Sequence, residues 1–215
     1  MNIKNTWIAS ALLGAFALAG CANTEQAAKN VEPSHAEIME VMKASFKAKG
    51  QAGMDRLDQT ELQLACSQAA AGAPGDLPNA KRAALQEAAL AAVKFPADGK
   101  FLGDWKEGEE IAQTGKGFQF NDKAGSPAGG NCYACHQLAP QELSYGNLGP
   151  SLYQYGKLRG NSEEIMKYTW VKIWNSHAYN ACSNMPRFGA EGILTETQLK
   201  DVMALLLSPD SPVNK

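Results

Sequence analysis

Between Ser162 and Asn175 the apolar positions Met166, Trp170, Ile173 and Trp174 follow one another at spacings of four, three and one, which places them on one face of a helix. Tyr168 and Thr169 fall on other faces of it. A second helix is predicted from Thr195, where Gln198 completes a capping box, to about Leu207, with Ser208-Pro209 as its stop and Val202, Leu205 and Leu206 as its packing face. Asp104 is placed to cap a third, running through about Gln113. Further upstream Ile38, Val41, Met42 and Phe46 form one apolar stripe and Leu85, Ala89 and Val93 another. Gly50, Gly53 and Ala71-Gly72-Ala73-Pro74-Gly75 separate them, so residues 35–95 read as an extension of two or three helices ahead of a domain at 101–210. Helices, not strands, carry the chain, and the fold class is all-α. The pattern leaves open whether the extension wraps the domain or docks a partner.

The chain has 215 residues, 45% hydrophobic and 20% charged, which is enough for one main domain with an appendage and excludes disorder throughout. The formal charge is −2 and no basic block is present, so nucleic acid is not an expected partner. Residues 1–20 open with one Lys and continue as an apolar stretch from Trp7 to Ala19, too short to span a bilayer, and read as a secretory signal peptide. Leu18-Ala19-Gly20-Cys21 resembles a bacterial lipobox, which makes Cys21 the lipidated N-terminus of the mature chain. The alternative is ordinary cleavage near Ala19, Gly20 or Ala22 with a soluble product. Either way the chain leaves the cytoplasm, and a lipid-anchored periplasmic protein is expected, with residues 21–34 as a tether.

Cys132-Tyr133-Ala134-Cys135-His136 is a C-x-x-C-H segment, the attachment signature of a c-type haem. Two intervening residues hold the sulfurs about one helical turn apart, matched to two vinyl groups, while the next residue brings an imidazole under the iron. The same residues also fit half of a zinc site or a thioredoxin-like redox pair. Zinc needs two more ligands at paired spacing, and none is nearby. A redox pair does not demand His136, and no alternation of strands and helices surrounds the segment. The expected cofactor is one covalent haem c.

The sixth iron ligand decides whether such a haem carries electrons or reacts with a ligand. Met185 lies in a polar, helix-breaking stretch, Asn180 to Gly189, just before the last helix, as in the distal loop of small class I cytochromes c. Met166 and Met203 sit in helical patterns where a thioether more often fills core, and Met39, Met42 and Met54 belong to the extension. His177 is the rival ligand, with a polar surface or pocket-rim position as its other reading. A His136/Met185 pair leaves no vacant position and raises the potential relative to two imidazoles. In cytochromes of this type a proline carbonyl accepts the proximal imidazole proton, and Pro150 is the candidate, an ordinary turn proline being the alternative. With Cys21, Cys132 and Cys135 assigned, Cys66 and Cys182 remain as a possible disulfide or as two buried thiols.

The segments Gly130 to His136, Gly146-Asn147-Leu148-Gly149-Pro150 and Met185-Pro186-Arg187-Phe188-Gly189, with the Asp-Ser-Pro-Val tail, resemble the SoxX family, the monohaem subunits of SoxAX cytochromes, over roughly Phe101 to Lys215. The resemblance implies a class I cytochrome c domain behind an N-terminal helical extension. It also implies haem attached at Cys132 and Cys135 with His136 and Met185 as axial ligands. The implied partner is a SoxA-like cytochrome subunit that joins thiosulfate to a cysteine of the SoxYZ carrier. Within that L-cysteine S-thiosulfotransferase this chain accepts electrons, is not catalytic alone, and passes them to a downstream acceptor. A general lipid-anchored periplasmic electron carrier is the alternative. The lipobox and the long extension depart from the shorter soluble members.

Overall fold

A computed structural model describes residues 33–71 and 77–215. The signal peptide, Cys21 and nearly all of the tether lie outside the described residues. The chain divides into two units, Met1–Glu40 and Val41–Lys215. In the first, Ser34 and Glu37 exchange hydrogen bonds at the start of α1 (His35–Ser45): the Ser34 amide and hydroxyl both donate to Glu37 Oε2 at 2.7 Å, and the Glu37 amide returns one to Ser34 Oγ. His35 is exposed there.

The second unit is helical, and no strand is present among the described residues, so the protein is all-α. After the last turn of α1 come α2 (Glu61–Ala71), α3 (Asn79–Ala91), α4 (Trp105–Gln113), α5 (Tyr155–Arg159), α6 (Glu163–Trp174) and α7 (Glu196–Leu207). The two expected caps are in place, and Ser162 adds a third. Asp104 accepts from the Lys106 amide, Ser162 from that of Ile165, and Thr195 and Gln198 form a complete capping box. α5 spans five residues, too few for a periodic pattern to announce it.

The core is built where α4 crosses α7. Gly108 of α4 meets the α7 backbone: a Cβ there would strike the Asp201 carbonyl and come within 3.0 Å of Leu205 Cβ. Asp201 is buried in α7, yet its Oδ1 accepts the Asp104 amide at 2.8 Å and so helps cap α4 from a distant part of the chain. Around this crossing Ile111, Trp170, Ile173, Leu199, Val202, Met203, Leu205 and Leu206 form one cluster. Met203 therefore fills core, as its helical setting indicates.

Residues 41–95 pack against the same unit rather than standing off it. Trp170 Nε1 donates to the Lys94 carbonyl at 2.9 Å, Phe95 meets Phe101 edge-on, and Gln51 Nε2 bridges the carbonyls of Asp122 and Lys123. A satellite cluster of Leu62, Ala65 and Leu77 closes on Ala181, a residue of the Met185 loop. The stripe of α1 is only partly used, since Val41 and Phe46 are exposed. Thr169 of α6 corrects the helical-wheel expectation. It is buried, at 3% exposure, because its hydroxyl donates to the Ile165 carbonyl at 2.7 Å and meets the Tyr155 hydroxyl at 2.8 Å.

Candidate haem-attachment site

Two flanking segments hold the C-x-x-C-H residues in a tight turn. On the upstream side, three amides run back onto the end of α4: Gly129 onto the Lys116 carbonyl at 2.8 Å, Gly130 onto Ile111 at 2.8 Å and Asn131 onto Thr114 at 2.9 Å. Gly129 and Gly117 are needed for this approach, because a Cβ on either would collide with Thr114 or Ala128. Asn131, at φ 46°, ψ 44°, then turns the chain left-handed into a single 3-10 turn, Cys132–Ala134. Both Cys135 and His136 donate their amides to the Cys132 carbonyl, at 3.1 and 2.9 Å. The segment is thus a single tight turn.

On the downstream side the chain returns alongside the motif. Gly146 donates to Tyr133 O, Gly149 to Cys135 O and Leu152 to Gln137 O, each at 2.8 Å. That register carries the Pro150 carbonyl to 2.7 Å from His136 Nδ1. A carbonyl only accepts, so Nδ1 carries the proton and Nε2 is left as the basic nitrogen. Gly149 lies against the imidazole: a Cβ there would sit 2.5 Å from Nδ1 and 2.7 Å from Nε2. Gly130 approaches Cys132 in the same way, with 3.1 Å from such a Cβ to Sγ. The sequence places Gly130, Gly146 and Gly149 in the segments that carry the resemblance without showing that they make close approaches. Their recurrence at 130, 146 and 149 around the motif is the signal for it.

Cys132 and Cys135 carry no disulfide, whereas Cys66 and Cys182 are joined by one. Burial pushes the Cys132 thiol up to about 12, with smaller contributions from Cys135 and Glu109, which is the reverse of the lowered value that a nucleophilic redox pair needs. Among the described residues no group of three or more His, Cys, Asp or Glu side chains is placed to hold a metal ion, as a zinc site would require. Tyr133 is buried next to the thiols, and its hydroxyl donates to Glu109 Oε1 at 3.0 Å, an oxygen that also accepts from Gln113 Nε2 at 2.8 Å. Burial, followed by the Glu109 charge, raises the Tyr133 phenol above its ordinary value. Glu109 Oε2 is buried without a partner.

Met185 is half-buried and packs against the main core cluster, as Cys132 does. Its backbone is gripped on both sides. Ser176 Oγ donates to the Met185 carbonyl at 2.8 Å, and the Met185 amide donates to Ser183 Oγ at 3.2 Å. The far end of the loop is fixed by the Gly189 and Ala190 amides, both on the Trp174 carbonyl. His177 is buried rather than on the open surface, and it lines the cleft between α2 and the Met185 loop, in keeping with a pocket-rim position. It is 5% exposed, Nε2 donates to the Ser183 carbonyl at 3.1 Å, and burial lowers its pKa below the ordinary imidazole value. Through this bond His177 joins Ser176 and Ser183 in shaping the Met185 loop. Met166 lines a surface cleft with Phe95, Phe101 and Glu163.

The residues present fit a covalently held haem c. Two unpaired thiols stand at the ends of one turn, the imidazole has Nδ1 satisfied and Nε2 basic, its face is cleared by a glycine, and a thioether sits on a polar loop over the same core.

The fold and site define an all-α protein organised around a C-x-x-C-H turn and its returning proline loop. No protein-family profile matches the chain. It is 36% identical over 199 residues to a protein of Aquifex aeolicus (strain VF5) described as an uncharacterized lipoprotein, a match covering 91% of this chain and 92% of that protein. The chain belongs to that lipoprotein family.

Proposed function

We propose that this chain is a lipid-anchored, periplasmic electron-transfer subunit carrying one haem c, of the kind that accepts electrons in a SoxAX-type complex. The observation that carries the haem reading is the His136 Nδ1 to Pro150 carbonyl hydrogen bond at 2.7 Å, which fixes the tautomer and aims the other nitrogen. Haem supplies one-electron chemistry when bound. The chain's own part is to hold and insulate it. Cys132 and Cys135 anchor it, His136 and Met185 supply an imidazole and a thioether, and Tyr133, Leu138 and Phe188 keep water from the core beneath the site. The crossing of α4 with α7 around Gly108 supports a class I cytochrome c arrangement. Cys21 is the lipidation site that the family relationship favours.

The SoxAX role rests on the resemblance of the NLGP and MPRFG segments, and thiosulfate coupling to the SoxYZ carrier is then the work of a SoxA-like partner. A general membrane-anchored carrier is the second reading, favoured by the near full-length match to a lipoprotein. Affinity isolation from cells grown on thiosulfate separates them. A second cytochrome retained with the chain, together with carrier thiosulfonation by the isolate, supports the SoxAX reading. A lone haem protein whose deletion leaves thiosulfate oxidation intact rejects it.

A further inference from the structure

We propose that the Cys66–Cys182 disulfide is the brace that keeps the Met185 loop closed on the core, so that opening it would let an added ligand compete with the Met185 thioether for a bound haem; this rests on the haem reading above. Cys182 stands three residues before Met185, on the side of the loop that faces α2, and Cys66 is its partner on α2. On its inner side the loop rests on the main core through Met185 and Phe188 and is tied by hydrogen bonds from Ser176 to the Met185 carbonyl and from His177 to the Ser183 carbonyl. On its outer side it is not packed solid. A cavity of roughly 420 Å³ lies between α2 and the loop, lined by Gln63, Cys66, His177, Cys182, Met185 and Glu191. Across that space the ties to α2 are the disulfide and the small cluster of Leu62 and Ala65 with Ala181. The loop therefore has room to swing away from the core, and the covalent bond limits how far it goes.

This gives the helical extension a task, since α2 would set how firmly the ligand loop is closed. It also makes the site responsive to a dithiol. Exchange of a dithiol with this disulfide oxidises the dithiol to its own disulfide and leaves thiols at Cys66 and Cys182, with two electrons and two protons transferred. Cys182 is exposed, so an attacking thiolate can reach it.

The test compares the ferric haem-loaded wild type with a Cys66→Ala, Cys182→Ala double variant, using the weak far-red band of thioether ligation and titration with imidazole, which binds only where Met185 has left. A variant at the edge of the core, Val93→Ala, controls for general loss of stability. The brace predicts that imidazole binds the double variant about tenfold more tightly than wild type, with the control unchanged. An affinity within twofold of wild type overturns it, as does an equal gain in the control. Where the double variant does not fold, hydrogen exchange is followed on wild-type protein with the disulfide cleaved and alkylated. Faster exchange at the Ser183 and Met185 amides, with those of Gly189 and Ala190 unchanged, supports the brace, and unchanged exchange at all four overturns it. Oxidised wild type lacking covalent haem or the far-red band defeats the haem reading instead, and the exchange measurement then still decides whether the disulfide holds the loop.

Discussion

Gly149 lies flat against the imidazole of His136, close enough that a methyl group in its place would press on both ring nitrogens. The amide of the same glycine donates to Cys135 O at 2.8 Å, so the backbone cannot withdraw without breaking the register that delivers the Pro150 carbonyl. Gly149→Ala is expected to turn the ring out of line while leaving attachment at Cys132 and Cys135 possible. Haem staining and optical spectra of the variant check this: covalent haem is retained, and the spectrum shifts from low-spin to high-spin.

The α4 to α7 crossing makes a second demand on a glycine. Gly108→Ala puts a methyl group into the Asp201 carbonyl and forces the two helices apart. The expected cost is about 1 to 3 kcal/mol of unfolding free energy, read by urea denaturation of the whole chain.

Asp201 links the same helices through its side chain, accepting the Asp104 amide at 2.8 Å. Asp201→Ala removes this hydrogen bond between distant segments and is expected to cost about 0.5 to 1.5 kcal/mol. Asp201→Asn keeps an acceptor oxygen and loses less. Parallel denaturation of the two variants gives the difference.

The pattern of caps and stripes reads α4, α6 and α7 from the sequence because each has a local signal: the Asp104 cap, the apolar stripe of Met166, Trp170, Ile173 and Trp174, or the Thr195 and Gln198 pair. Cysteine bookkeeping likewise narrows Cys66 and Cys182 to one possible pair. What stays hidden depends on contacts between distant parts of the chain. Asp201 looks like the polar face of α7 until Asp104 is brought to it. Thr169 looks exposed until Tyr155 supplies a hydroxyl. His177 looks like a free ligand or a surface residue until the loop folds Ser183 onto its Nε2. The glycines at 130, 146 and 149 mark close approach, but only the folded register tells which atoms approach.

His177 also predicts a pH dependence. Burial lowers its pKa in the folded chain, with the Ser183 carbonyl and Glu191 opposing and Arg187 adding to the effect. The unfolded chain therefore binds the proton more readily. Its contribution to stability is fully present above the ordinary imidazole value of about 6.5 and is lost as pH falls from there through the lower, folded value. Urea midpoints measured from pH 7.5 down to pH 5 are expected to fall for wild type and to fall less for His177→Gln. Equal slopes would remove His177 as the cause.

The most direct measurement is the intact mass of the chain after expression with a c-type haem maturation system, taken before and after acid-acetone extraction and again on peptides spanning Cys132 to His136. One haem per chain, resistant to extraction and attached through both Cys132 and Cys135, is the predicted result. A chain that leaves maturation with both cysteines as unmodified thiols, or whose haem is extracted freely, contradicts it.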